Sequence, residues 1–498
     1  MYHQQHVQLL LQLFVFLMIT VTITVNGQDM ITTVTIYVDQ TSTNTSTICG
    51  LDYQDPNMAC PNITSAINSY RSLYQQQQQQ QPLQNSALSI AMAGGVYPAL
   101  KGNSNLELLN LNVTIGPSPF TQGDVTIDLA QNATSNYLYF FNLTSQSLCN
   151  PPMSITLNSL TFTNGTQVIN SLVNNINIVL NNVTFYGVAI NGTNVINVAP
   201  FPTPCTGSPG PSLTINGGRM VNCQSKVKSG VMLQTECALT LNQTEFIGNS
   251  AFTLWSHYEQ PVSIVDTSFI ENMVDTLMST KALASTTPLS IVNASFIGNM
   301  GSGDTFMSML SLTGGLININ NTLFDTNDNF GVLLLIKGDM YNSNVTIADT
   351  TFTNSALSRR QSTNGNSLVS ISYTNLTMDR CTFVNNNVPK SELAISQSTS
   401  TLNNLEFGSV SGLDGGAIRC QSGHLTMNNI INHIGSRIFD CHASQRCSLD
   451  GNLQVCQLSG GAIAGIVIGT VAGVIIFIVI TYIVIKKRKM RNQYLTIQ

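Results

Sequence analysis

The sequence predicts an all-β fold, a right-handed parallel β-helix (solenoid) as ectodomain, carried by one transmembrane α-helix. Three observations carry this. A motif of apolar, Thr or Ser, apolar, two turn residues, a small or apolar residue, any residue and Phe recurs along the chain, often with Asn three positions after the Phe. One copy spans residues 239–246 and ends at Asn249. The motif's last position is filled by Phe162, Phe185, Phe246, Phe269, Phe296, Phe324, Phe352, Phe383 and Phe407, with Met220 and Asn432 in weaker copies, 23 to 35 residues apart. Self-similarity at such a period is the mark of a solenoid. The third observation is an uncharged apolar run over residues 462–485, closed at once by Lys486, Lys487, Arg488, Lys489 and Arg491.

Taken in chain order, residues 1–27 read as a secretory signal peptide, with an apolar run from Leu9 to Val25 and small residues up to Gly27. Residues 28–87 form an N-terminal cap that holds a glutamine tract, Gln75 to Gln81, expected as a loop. Residues 88–440 are the β-helix. Its apolar-polar-apolar triplets have period two, which makes each a short strand with one face buried. The turn pairs that follow, among them Asn181-Asn182, Asn242-Gln243, Val265-Asp266, Asn320-Asn321 and Asn403-Asn404, are rich in residues that tolerate a left-handed backbone. A second short strand then carries the Phe inward, and stacked coils bring Phe onto Phe and Asn onto Asn. About twelve coils give a rod on the order of 60 Å.

Residues 441–461 are a cysteine-containing juxtamembrane segment. Residues 462–485 form a helix of about 36 Å, long enough for a hydrocarbon core of about 30 Å. Residues 486–498 are a cytoplasmic tail, since positive charge stays inside. The chain therefore reads as a single-pass type I protein of the plasma membrane or an endolysosomal membrane. The ectodomain holds all 24 acidic residues and 14 of the 19 basic ones, a formal balance of −10 against +5 for the tail, which argues against nucleic acid as partner.

The Phe-x-x-Asn repeats, with Gly415-Gly416-Ala417-Ile418 further on, resemble those of polymorphic outer-membrane proteins. The start, Ile36-Tyr37-Val38-Asp39, then Cys49-Gly50, residues 60–67 and Ala93-Gly94-Gly95-Val96-Tyr97, resembles the beginning of pectin-lyase-like domains. That resemblance implies a short capping helix in the middle segment and covers roughly residues 34 to 440. It implies fold rather than function, because this fold hosts lyases, hydrolases, adhesins and inert stalks.

Eleven cysteines in a secreted ectodomain imply disulfides and one thiol left over. Cys49 is expected to pair with Cys60. Cys420, Cys441, Cys447 and Cys456 are expected to form two bridges, and Cys149, Cys205, Cys223 and Cys237 two more. Cys381 is the odd one, in the inward column shared with Thr244, Thr267, Ala294, Thr322 and Thr350, where a small buried residue needs no reactivity. No Cys pair has the spacing of a metal site, and no cofactor is implied.

Thirteen Asn-x-Ser/Thr sequons offer glycosylation at Asn44, Asn62, Asn112, Asn132, Asn142, Asn164, Asn182, Asn191, Asn242, Asn293, Asn320, Asn344 and Asn375. Asp266, Asp349 and Asp379 recur and are the candidates for a catalytic carboxylate cluster, but their turn positions assign them to turn chemistry. The balance favours a non-catalytic protein that presents a ladder surface for adhesion, recognition or carbohydrate binding. The competing classes are a membrane-tethered polysaccharide lyase or glycoside hydrolase and a passive structural glycoprotein. Trp255, the sole Trp, and Tyr258 lie in an aromatic break between repeats; they either contact a ligand or cover the coil edge from a loop. Gly461, Gly465, Gly469 and Gly473 line one face of the membrane helix and permit a homodimer. Tyr494 and Ile497 fit a tyrosine-based sorting signal for a clathrin adaptor.

Overall fold

The computed structural model describes residues 32–52, 55–78, 86–129, 139–144, 152–190, 194–200, 210–225, 231–250, 252–258, 260–282, 286–301, 307–338, 343–358, 367–411, 416–433, 438–439, 447–450, 477 and 479–486. The chain falls into two units, Met1–Gly451 and Asn452–Gln498.

The first unit is a right-handed parallel β-solenoid. Three sheets form its walls. The first stacks 15 strands, from Thr32–Val38 to Cys447–Asp450, on the order of 70 Å at about 4.8 Å each. The second has 13 strands, from Gly95–Pro98 to Ile431–Asn432, and the third 11, from Phe141–Thr144 to Ile418–Cys420. Sheets of four and two short strands lie between the second and third in chain order. The repeat motif supplies the first two walls. In Ala238–Asn242, Leu239 and Leu241 are buried while Thr240 faces out, and in Glu245–Ile247 only Phe246 points in.

The second residue of each turn pair takes the left-handed conformation, with φ of +48° to +63° at Asn182, Gly217, Gln243, Asp266, Asn293, Asn321, Asp349, Arg380, Asn404 and Asn429. A further left-handed corner lies two residues after the Phe, as at Asn164, Gly187, Asn222, Gly248, Glu271 and Gly298. These corners turn the chain from wall to wall without breaking the parallel register.

The Phe column is as the motif predicts. Phe162, Phe185, Met220, Phe246, Phe269, Phe296, Phe324, Phe352, Phe383, Phe407 and Asn432 are paired in that order, coil on coil. From Phe246 to Phe407 the rings stack with centroids 4.7 to 5.0 Å apart and planes within 12°. The Asn three positions on forms a second column, wholly buried: Asn249, Asn272, Asn299, Asn327 and Asn386, with Ser355 in one coil. Each Asn Oδ1 from Asn272 to Asn327 accepts from the backbone N and side-chain Nδ2 of the Asn one coil earlier, at 2.9 to 3.1 Å. Outside, a parallel amide ladder runs along the turns, for example Asn216 Nδ2 to Asn181 Oδ1 and Asn181 Nδ2 to Asn158 Oδ1, both 2.9 Å.

The helix Ile63–Gln78 packs against Thr32–Val38 and Ser86–Met92 and covers the sheet edge at the N-terminal end. Asn62 caps it, accepting from Ser65 N at 2.8 Å. The helix runs into the glutamine tract, so Gln75 to Gln78 are helical rather than loop. Cys49 and Cys60 are bridged as expected. Cys420 pairs with Cys447, tying the last strand of the third sheet to the last of the first. Cys441, Cys456, Cys149 and Cys205 lie outside the described residues. The expectation of two bridges among Cys149, Cys205, Cys223 and Cys237 is corrected: the thiols of Cys223 and Cys237 are free. They sit at different corners of the coil, Cys223 in the buried Asn column with its N donating to Asn249 Oδ1, Cys237 just before Ala238–Asn242. Burial pushes these thiols up to about 11 and about 12, and Cys381, free as expected, to about 12, which leaves all three unreactive.

In the second unit the described residues, 477 and 479–486, are helical, with Thr481 Oγ1 donating to Phe477 O at 2.7 Å. Among the described residues no helix is long and apolar enough to cross a membrane. The expected span over 462–485 falls largely outside them and gains no support here. The expected signal peptide over 1–27 and Asn132, Asn191, Gly461, Gly465, Gly469, Gly473, Tyr494 and Ile497 also lie outside the described residues.

Candidate binding face

The third sheet is the wall the motif does not describe. Its side chains alternate inward and outward. The inward column includes Leu254, Met278, Leu310, Leu334, Val369, Leu393 and Ile418, all buried. The next residues along form the outward column Asn142, Asn170, Asn197, Gln234, Trp255, Ser279, Ser311, Leu335, Ser370, Ala394, Arg419. Its N-terminal part is an amide ladder: Asn170 Nδ2 donates to Asn142 Oδ1 at 2.6 Å and Asn197 Nδ2 to Asn170 Oδ1 at 2.8 Å. Trp255 follows, half-buried. The segment Phe252–Tyr258 is thus a strand, not the loop that an aromatic break suggests, because its backbone pairs on both sides with Val231–Thr235 and Met278–Ala282. The Tyr258 backbone pairs with Ala282. Two residues along, a second outward column runs through Lys281, Thr313, Lys337, Ser372 and Ser396, with both lysines exposed.

Charge is sorted by wall. The strands of the third sheet carry Lys281, Lys337 and Arg419, and their one carboxyl, Glu392, points inward and is wholly buried. The strands of the first sheet carry Asp379 and Asp450 and no Lys or Arg. Those of the second carry Asp128, Glu245, Asp325 and Glu406 against a single Arg219, which is paired with Glu245 at 2.7 Å. Residues 1–451 carry a formal charge of −10, yet among the strands of the three walls those of the third alone are net cationic.

Sequons are sorted too. Asn182 and Asn293 stand in the turns between the first and second sheets, Asn242 and Asn320 end first-sheet strands, Asn164 follows a second-sheet strand, and Asn112, Asn344 and Asn375 lie at the entry of first-sheet strands. Asn44 and Asn62 belong to the N-terminal cap. On the third sheet only Asn142, in its first strand, is a sequon; the ten strands from Ile169–Leu172 to Ile418–Cys420 have none. Asn112, Asn142, Asn164, Asn182, Asn293, Asn344 and Asn375 are exposed, while Asn44, Asn62, Asn242 and Asn320 are half-buried.

The three recurring aspartates do not converge on an open site. Asp266 accepts from Asn293 Nδ2 at 3.0 Å. Asp349 and Asp379 are brought together, but around Arg380: its Nε and Nη2 donate to Asp349 at 2.6 and 2.7 Å and its Nη1 donates to Asp379. The Arg380 guanidinium, hydrogen-bonded to Asp349, holds that carboxyl below the usual range. Among the described residues no group of three or more His, Cys, Asp or Glu is placed to hold a metal ion. A cleft of about 590 Å³ opens beside the first third-sheet strand, between Arg71, Glu107, Tyr139 and Asn142.

No family model matches the chain, and no curated protein does. Among solved structures it is similar to tailspike protein 3 of bacteriophage CBA120, at 10% identity and a TM-score of 0.35, covering 80% of this chain and 59% of that one. It is also similar to PfbA, a surface adhesin of Streptococcus pneumoniae, at 11% identity and 0.31, covering 72% and 88%. A third is the periplasmic alginate epimerase AlgG, at 8% identity and 0.21, covering 73% and 77%. These are likenesses of fold alone.

Proposed function

We propose that the chain is a membrane-tethered, glycosylated surface protein whose third-sheet face binds an extended acidic glycan without cleaving it. The observation that carries this reading is the coincidence of two independent sortings on one wall. Cations gather where no carboxylate faces out, and sequons are lacking over the same ten strands. Glycans on the other walls would shield them and leave this face bare. Evenly spaced amides, hydroxyls and one indole suit a long polymer with repeating hydroxyls, and the lysines select for negative charge. The non-catalytic part of the reading rests on Asp349 and Asp379 being taken up by Arg380.

The test displays the full chain on cells and measures retention of labelled polyuronate against neutral dextran. Wild type is expected to retain the polyuronate, less so as salt rises. Lys281→Glu with Lys337→Glu lowers retention about tenfold or more, equivalent to at least ~1.4 kcal/mol. Equal retention by wild type and variant, or a preference for dextran, overturns the reading.

The tethering rests on the apolar run 462–485 and the basic cluster after it. Protease added to intact cells is expected to remove the solenoid, and glycosidase to increase the mobility of the chain on a gel. A full-length, unshifted band after both treatments rejects this topology.

A further inference from the structure

Glu392 lies in the interior of the solenoid, 0% exposed, and neither carboxyl oxygen has a hydrogen-bond partner. It stands at the corner where the chain enters the third-sheet strand Ser391–Ser396. The pairing of its neighbours places it between Leu368 of the coil before and Ala417 of the coil after, both fully buried. The same corner is Leu333 and Met309 in earlier coils. A carboxyl therefore fills a place that the adjoining coils give to an aliphatic side chain, with Thr253 there in an earlier coil. Among the described residues the polar group that bears on it is the Asn386 amide, which already serves Phe352 O and Ser355 N and does not reach either oxygen at hydrogen-bond geometry.

Among the described residues nothing packed around it supplies a compensating charge. Strands Ser367–Ser372 and Asn386–Asn387 carry no titratable side chain. In Ile418–Cys420 the Arg419 side chain is on the outward column and Cys420 is in its disulfide. Lys390 and Glu406 are half-buried on neighbouring segments, and neither adds a charge interaction at Glu392. An ionised carboxylate there would be a buried charge without a partner.

We propose that Glu392 is a pH-sensitive latch: as a neutral acid it keeps the last coils closed, and its ionisation opens Ser391–Ser396 from Ile418–Cys420 and carries Arg419 off the outward face. Burial pushes the Glu392 carboxyl up to about 8, with the Asn386 amide pulling weakly the other way. The closed state holds a proton that the opened state, near 4.5, gives up, so closure is firmest below about 4.5 and is lost as pH rises towards about 8. The latch does not depend on any ligand.

The test uses the full chain in detergent micelles and follows hydrogen exchange, normalised to unstructured rates, from about pH 5 to about pH 9. Peptides covering 386–396 and 416–425 are compared with those covering 239–300 in the same digest. Wild type is expected to lose protection in the first pair by up to about tenfold per pH unit inside the window, levelling off above it, while 239–300 does not change. Glu392→Gln abolishes the pH dependence, and so does Glu392→Leu, which copies Leu368 and serves if the Gln variant does not fold. A flat wild-type profile overturns the latch. So does an unchanged pH dependence in the variants, or a parallel loss over 239–300.

Discussion

Phe296→Ala is expected to destabilise the solenoid by about 3–5 kcal/mol. The ring is 0% exposed and lies between Phe269 and Phe324, with centroids at 4.7 and 4.8 Å. Truncation removes the buried ring and two stacking contacts, each worth about 0.5–1.5 kcal/mol beyond area. Collapse cannot relieve the loss, because the backbones above and below are held by the parallel ladder that pairs Phe269, Phe296 and Phe324. A solenoid transmits such a defect mainly to adjoining coils. Denaturant unfolding of the full chain, read with hydrogen exchange, should therefore show the loss centred on residues 262–330. Phe296→Met, the residue that the chain itself places at Met220, should cost less than about 1.5 kcal/mol. An Ala variant within about 1 kcal/mol of wild type would deny the column its place in the core.

The same regularity explains what could be read from the sequence. The first two walls are joined by a two-residue corner of constant length, so triplet, corner and Phe keep fixed offsets. Even Met220 and Asn432 could be assigned to the column without a ring. The third wall has no such clock. Lys281 follows the buried Asn272 by nine residues and Lys337 follows Asn327 by ten. Their shared column, through Thr313, is visible only in the pairing. Trp255 looked like an interruption for the same reason, since its strand has no repeat signature. Glu392 is hidden more deeply. Alternation in Ser391–Ser396 puts Leu393 and Ile395 inside and would put Glu392 outside, but the corner turns three successive residues inward. Cys223 and Cys237 read as two of four bridging cysteines because the sequence implies a secreted, disulfide-forming chain. One coil corner separates a residue in the Asn column from one at a strand entry, and sequence distance does not encode that.

Asn299→Leu is expected to cost on the order of 4 kcal/mol, although Leu is the more apolar residue and the site is fully buried. Asn299 Oδ1 accepts from Asn272 N at 3.1 Å and Asn272 Nδ2 at 2.9 Å, and its own Nδ2 donates to Phe269 O at 3.0 Å and Asn327 Oδ1 at 3.0 Å. Removing the amide orphans two donors of Asn272 and an acceptor on Phe269, all inside the coil. Each buried group left unpaired costs about 1–3 kcal/mol, less than additively in one network. Asn299→Ser should be milder, because Ser355 already serves in this column: its Oγ accepts from Asn327 N at 3.2 Å and donates to Thr353 O at 3.0 Å. The outer ladder provides the control. Asn321 Nδ2 donates to Asn293 Oδ1 at 2.8 Å, with the same residue types one coil apart, but both side chains are exposed. Water replaces that bond, so Asn321→Ala should cost a smaller amount, chiefly the loss of a residue that tolerates the left-handed corner. Urea midpoints for the three variants should fall in the order Asn321→Ala, Asn299→Ser, Asn299→Leu, the last lowest. If Asn299→Leu melts with wild type, the inner amides only fill space, and the stack is held by the Phe rings and the backbone ladder alone.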